Sequence, residues 1–245
     1  MPIFRKGRYS VRFAASEADL QAAQRLRWLA FRGDSGRDRA DADRFDALCR
    51  HVMVEEHATR RLVCTFRIMA LAGDQIAQSY SAQYYGLAGL QGYAGRMFEI
   101  GRFCIHPTVM DADVLRVAWG AMARIVEVEG IDLLFGCTSF QGVEAAAYHD
   151  AFAVLKARHL APKRWLPAVK APNVFRFAAR LRRKPDMRAA MVKMPPLLKT
   201  YLMMGGWVSD HAVVDAEMNT LHVFTGLEIR AIPPGRARLL RALAG

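Results

Sequence analysis

Two ionisable side chains stand inside an otherwise apolar stretch, Glu99 and Arg102 in Met97-Phe98-Glu99-Ile100-Gly101-Arg102-Phe103-Cys104-Ile105-His106-Pro107. An ionised group is costly to bury unless it is paired or hydrogen-bonded, so each needs a reason to be there. Two readings follow from the residue types. One is an ion pair at the end of a core strand. The other is a catalytic base beside a strand whose backbone holds a substrate. A second motif is Asp43-Arg44-Phe45-Asp46, with two carboxylates three residues apart. On a helix that spacing puts both on one face, where they repel unless a cation lies between them. As a capping pair at a helix start they would be unremarkable. Arg27 lies next to an apolar helical stripe, where a snorkelling side chain is the plain expectation.

The elements that must position these groups are readable from pattern. Tyr9 to Ala14 alternates as a strand, and Ser16 with Asp19 then caps a helix over 17–32. Leu20, Ala23, Leu26, Ala30 and Phe31 recur at helical spacing. Residues 33–42 are polar and aperiodic and read as a mobile loop. His51 to Glu55 and Arg61 to Leu71 read as an antiparallel hairpin, and 72–96 as a long connection of the functional or mobile kind. The apolar run around Glu99 is a buried strand ended by His106-Pro107. A helix follows from Asp111 to Gly130, with acids in its first turn and glycine at its end. Ile131 to Phe140 is a further strand, and Gln141 to Leu160 a helix carrying Tyr148. Beyond it the spacing predicts a basic helix over 174–184 stopped by Pro185, a short apolar helix over 195–204, and closing strands at 213–215 and 221–229. The order is α/β, with a parallel pair formed by the central strand, its helix and the next strand.

Charge is concentrated. The net formal charge is +12, and residues 156–199 hold 13 Lys plus Arg against one acid, Asp186, so the rest of the chain is neutral. Such a segment calls for an acidic protein, an anionic lipid surface or nucleic acid. Cys49, Cys64, Cys104 and Cys137 are widely spaced and read as reduced core thiols of the cytoplasm. Seven scattered histidines show no ligand spacing, so no metal is expected. No run of 18 apolar residues and no signal peptide are visible.

Taken together, Gln24-Arg25-Leu26-Arg27-Trp28, Asp43-Arg44-Phe45-Asp46, Glu99-Ile100-Gly101-Arg102 and Phe135-Gly136-Cys137-Thr138-Ser139-Phe140 resemble the GNAT-fold acyltransferases that include the acyl-homoserine-lactone synthases. Pro195 to Leu202, Gly205-Gly206-Trp207 and Asp215 to Asn219 narrow the resemblance to the L-ornithine N-alpha-acyltransferases of ornithine-lipid biosynthesis. It runs from about Tyr9 to Ile229. It implies an α/β, GNAT-like fold, a mixed central sheet flanked by helices with a basic C-terminal extension. The expected division is an acyltransferase core over 1–165, and over 166–245 a basic, partly helical segment with closing strands of the same domain.

The implied reaction moves a 3-hydroxyacyl group from acyl carrier protein to the α-amine of L-ornithine, giving lyso-ornithine lipid. No separate cofactor is implied, since the carrier's phosphopantetheine thioester is the acyl donor. Ordinary acetyltransferases follow the central strand with a glycine-rich loop that holds a coenzyme A diphosphate at a helix N-terminus. Here that place reads His106-Pro107-Thr108-Val109-Met110-Asp111-Ala112-Asp113, with two acids and no glycine. On this reading Glu99 is the base and backbone N–H groups of Ile100 to Phe103 face the oxyanion, Phe103 being counted with the substrate-binding residues. Arg102 orients Glu99 or binds the ornithine carboxylate. Asp43 and Asp46 hold its amines, and Ser139 hydrogen-bonds the 3-hydroxyl or the pantetheine. Arg27 joins the substrate-binding set, and Tyr148 protonates the leaving thiolate. Acidic carrier protein and an anionic membrane both suit the basic segment, placing the protein in the cytoplasm with peripheral contact at the inner face of the membrane.

Two rivals are defined. A lactone synthase or another acyl-amino-acid synthase shares the front half, the former with S-adenosylmethionine as acceptor, but not the tail after Pro195. A non-enzymatic basic module binding nucleic acid or membrane leaves Glu99, Arg102 and the aspartates idle, and no nucleic-acid-binding signature accompanies it.

Overall fold

In a computed structural model the described residues are 3–33, 39–182 and 184–244. Strands β1 (Phe4–Lys6) and β2 (Tyr9–Phe13) pair antiparallel before the first helix. Ser16 accepts the Asp19 N–H and starts α1 (Glu17–Arg32), and Gly33 ends it at φ 70°, a left-handed turn that glycine adopts without strain. Half of the expected loop, residues 34–38, lies outside the described residues. Asp43 and Asp46 do not share a helix face: Asp46 opens a single 3-10 turn, Asp46–Leu48. β3 (Arg50–Glu56) and β4 (Leu62–Leu71) form the expected hairpin, with a bulge between Val54 and Glu55.

Residues 72–96 are a series of 3-10 turns with one two-residue strand, β5 (Tyr85–Gly86). Ser79, Ser81, Tyr85 and Leu90 in it are buried, so this connection is packed against the rest of its unit. β6 (Met97–Ile105) leads through Asp111, which caps α2 (Ala112–Glu129), to β7 (Leu133–Gln141). β6 and β7 pair parallel through Met97, Phe98 and Glu99 opposite Leu133, Leu134 and Phe135. The next helix starts later than its pattern suggests, because a 3-10 turn, Ala145–Tyr148, precedes α3 (His149–Arg158).

Among the described residues of 174–184 no continuous basic helix forms, residue 183 lying outside them. The segment after β8 (Ala168–Val169) instead forms β9 (Val174–Phe175) and the one-turn α4 (Phe177–Arg180). β-branched Val174 pairs with Val213, and the Asn173 carbonyl accepts the Val214 N–H at 2.9 Å, so a sheet edge takes these backbone groups from a helix. Two helices follow, α5 (Met187–Lys193) and α6 (Pro196–Met203), then β10 (Trp207–Val208), β11 (Ala212–Asp215), β12 (Thr220–Glu228) and α7 (Pro234–Ala244). The motif pattern anticipates neither α5 nor α7.

The chain divides into two units. The first takes Met1–Ala70, Ile100–Ile131 and Pro234–Gly245. Its strands run β1-β2-β3-β4 and then β6 from Ile100 onward. α2 packs across β1, β2 and β3, and α7 packs along α2. A Cβ on Gly120 would lie 3.0 Å from the Leu243 carbonyl oxygen, a tight contact that would push the two helices apart by a few tenths of an ångström.

The second unit takes Leu71–Glu99 and Asp132–Pro233. Its strands run from the first three residues of β6 through β7, β12 and β11 to β9, and β12 pairs with β7 over nine positions. One face of β7 and β12 carries Phe140, Leu221 and Val223 into a core with Phe152, Leu155 and Phe177. Among the described residues no helix is long and apolar enough to cross a membrane.

Candidate active site

Strand alternation decides what faces the other side of β7 in the second unit. Directly paired residues share a face, which groups Glu99 with Phe135, Cys137 with Phe224 and Ser139 with His222. The 72–96 connection lies on this face. Glu99, 5% exposed, accepts the Tyr80 N–H on Oε2 at 2.7 Å, and on Oε1 the Ser81 N–H at 2.7 Å and the Ser81 hydroxyl at 2.6 Å. The same hydroxyl is 3.5 Å from the Cys137 Sγ. Further along, the Tyr84 ring meets His222 edge-on at 5.0 Å, and Tyr85 donates to the His222 carbonyl at 2.8 Å. Burial pulls the His222 imidazole down to about 4. Cys137 is half-buried and Ser139 exposed, so the row opens away from Glu99.

Tyr148 is held elsewhere. Its ring packs on Phe140 and Phe152, on the core side of β7, and its hydroxyl donates to the Gln141 carbonyl at 2.6 Å. The structure brings Glu99, Ser81, Cys137 and Ser139 to one face and leaves Tyr148 off it.

The first unit gathers the other candidates into a buried network. Arg67 Nη1 lies 2.6 Å from Asp43 Oδ1 and 2.6 Å from Asp46 Oδ1, so a guanidinium separates the two carboxylates. Arg27, 1% exposed, reaches Asp41 at 2.8 Å and Asp46 at 2.7 Å, and also bonds the Asp41 carbonyl. It does not snorkel, because Asp41 and Asp46 supply partners within the protein. Arg102 reaches Asp41 at 3.0 Å and Asp43 at 3.1 Å. Gln24 adds a donor to Asp46 at 2.9 Å. Burial raises the Asp46 pKa, but hydrogen bonds and charge from Arg27, with help from Gln24 and Arg67, outweigh it and hold the group well below the usual carboxylate range. For Asp43, burial is likewise outweighed by Arg67 and Arg102. Phe103 is half-buried with its ring stacked on Phe66 at 5.3 Å.

Arg102 has φ 53°, a left-handed conformation inside a strand. For a residue with a Cβ this costs on the order of 1–3 kcal/mol and persists only where surroundings enforce it. Its ion pairs to Asp41 and Asp43 are such an anchor.

The stretch after β6 is also occupied. Asp111 accepts the Asp113 N–H at 2.8 Å, the Tyr9 hydroxyl at 2.7 Å and Arg8 at 2.6 Å. These donors, the Asp113 N–H foremost, hold its carboxyl at about 2. The start of α2 therefore carries a fixed anion of its own. Among the described residues no three His, Cys, Asp or Glu side chains converge in a way that could hold a metal ion. All four cysteines are free thiols, with Cys64 and Cys104 buried and Cys49 and Cys137 half-buried.

Sequence reasoning missed Ser81, Asp41, Gln24 and Arg67. Arg67 carried the same signal as Glu99, a lone charge in an apolar strand. Ser81 carried none, being one polar residue among many in an aperiodic connection.

Similarity to known proteins agrees with this architecture. The acetyltransferase (GNAT) domain family matches residues 26–120. The L-ornithine N(alpha)-acyltransferase of Rhodobacter capsulatus is 32% identical over 238 residues, covering 91% of each chain. The protein of the same name from Brucella abortus is 31% identical over 246 residues, covering 93% of this chain and 87% of its own. Among solved structures, FeeM, an N-acyl amino acid synthase from uncultured soil microbes, superposes with TM-score 0.51 at 11% identity, covering 94% of both chains. BjaI, a CoA-dependent acyl-homoserine lactone synthase, does so with TM-score 0.50 at 13% identity, covering 94% of this chain and 83% of its own. The fold is that of the GNAT acyltransferases, a mixed sheet flanked by helices.

Proposed function

Because this chain belongs to the L-ornithine N(alpha)-acyltransferase family and is an acyltransferase, we propose that it moves a 3-hydroxyacyl group from acyl carrier protein to the α-amine of L-ornithine, giving lyso-ornithine lipid. The observation that carries the chemistry is the buried Glu99 carboxylate, fixed by the Ser81 hydroxyl and the N–H groups of Tyr80 and Ser81.

An ammonium cannot attack a thioester, so the amine must first lose a proton. Glu99 takes it, directly or across one water. The amine nitrogen then bonds the thioester carbon and the carbonyl oxygen becomes an oxyanion. As the oxyanion returns to a carbonyl the C–S bond breaks, and the nitrogen's extra proton passes to the departing pantetheine thiolate, leaving amide and thiol. Backbone N–H groups from Ile100 to Phe103 face the oxyanion. Arg102 takes a positioning part, its guanidinium being held by Asp41 and Asp43. The guanidiniums already on Asp43 and Asp46 support a positioning part for these aspartates and for Arg27, in place of a direct hold on the amines. Ser139, exposed on the Glu99 face, bonds the acyl 3-hydroxyl or the pantetheine. The anion at Asp111 supports a donor that brings one phosphate over one that brings a diphosphate. The basic segment supports docking of an acidic carrier protein in the cytoplasm, steered by charge and weakened by salt.

The test is product mass. Protein incubated with 3-hydroxyacyl carrier protein and L-ornithine should yield hydroxyacyl plus ornithine minus water. Product from S-adenosylmethionine in place of ornithine would instead make the protein a lactone synthase.

A further inference from the structure

α5 and α6, which follow the segment expected to be a basic helix, are unusual in what they leave outside. Asp186, the one acid between residues 156 and 199, is used to cap α5, accepting the N–H groups of Arg188 at 2.8 Å and Ala189 at 3.0 Å. Ala190 and Met194 turn into the core of the second unit. Met187 and Met191 flank that buried face and Val192 lies opposite it, at 38%, 45% and 74% exposed, and Met203 at the end of α6 is 50% exposed. Exposed apolar residues that occur singly need no explanation, but these four fall between residues 187 and 203 on consecutive helices. Arg182, Lys184, Arg188, Lys193 and Lys199 are interleaved with them.

We propose that α5, with the end of α6, is a docking element for an anionic lipid bilayer. Its methionines and valine enter the head-group boundary while the flanking cations meet the lipid phosphates. Charge complementarity calls for an anionic partner, and the apolar exposure selects among such partners. An acidic protein surface would satisfy the cations but gives no reason for a valine three-quarters exposed at their centre. An interfacial helix requires both features on one short element. At seven residues α5 is about two turns, a length for lying in the interface and not for crossing it. The proposal stands on this surface and does not require the acyl-transfer reading.

The full chain should be sedimented with vesicles of phosphatidylcholine, with and without phosphatidylglycerol. We expect it to pellet with the anionic vesicles, and to be released as salt is raised. The double variant M191D/V192D should bind about tenfold more weakly with unchanged melting temperature, while Val192→Leu keeps wild-type binding. Equal partition onto neutral vesicles, failure to pellet, or a double variant that binds like wild type would each overturn the proposal. So would a double variant that keeps vesicle binding but loses acyl carrier protein, which would assign the face to an acidic protein. Dimers that the double variant dissociates, with vesicle binding intact, would assign it to a second copy.

Discussion

The two units hold carboxylates in opposite ways. In the first, Asp41, Asp43 and Asp46 meet Arg27, Arg67 and Arg102, so anion and guanidinium cancel and the network's gain is shape. In the second, the Ser81 hydroxyl and two backbone N–H groups fix Glu99. Neutral donors on both of its oxygens orient this carboxylate. The contrast separates residues that shape a site from a residue that acts in one.

The largest effect should fall on turnover. Glu99→Gln should lower kcat about 10²–10⁴-fold with little change in melting temperature. An unimpaired variant would return Glu99 to a structural part. The complementary break is Arg67→Ala, which leaves half-buried Asp43 and buried Asp46 beside each other without the guanidinium between them. It should cost about 3–5 kcal/mol in urea unfolding. A loss below about 1 kcal/mol would mean that the network is already hydrated.

Acid should weaken both units, the first in two stages. The folded pKa of His222 lies near 4, below its unfolded value, so between about pH 6.5 and 4 the unfolded state binds more protons and stability falls as pH falls. The effect is on the order of 3 kcal/mol. Asp43 and Asp46 have depressed folded pKa values, so their contribution is present above the unfolded value near 4 and disappears below it. His51 on β3 is also held below its usual value by burial, so the histidine loss reaches both units and the aspartate loss the first alone. Amide exchange in β3 and β4 should therefore quicken in two stages, above and below about pH 4, and a single stage would remove the aspartates' part.

Smaller effects sharpen the assignments. Ser81→Ala removes the hydroxyl from Glu99 and should lower kcat about tenfold, at about 1–2 kcal/mol of stability. Tyr148→Phe should leave kcat within about threefold and cost about 1 kcal/mol or less, since its hydroxyl bonds the Gln141 carbonyl at a partly exposed site. A hundredfold loss would restore Tyr148 as the proton donor to the thiolate.

What was readable in the sequence follows the range of the interaction that fixes each feature. Ser16, Gly33, Asp111 and Gly130 mark helix ends through their own side chains or backbone freedom, and α1 and α2 lie where these residues put them. The parallel pair of β6 and β7 followed from apolar runs on either side of a helix. Val174 to Lys184 has helical spacing, yet the edge of β11 was a better partner than a helix of its own. Ser81 became visible only when the fold laid residues 72–96 over β7, since its partners are 18 and 56 positions away.

The composition of the first unit has a consequence for synthesis. Its segments are separated by stretches of the second unit, and α7, from Pro234 onward, packs along α2 at Gly120. A nascent chain that has already made β1 to β4 and α2 must wait through more than a hundred further residues for the helix that covers α2. The part of the protein made first is thus finished last, and until then the α2 surface around Gly120 stays open to other chains or to a chaperone.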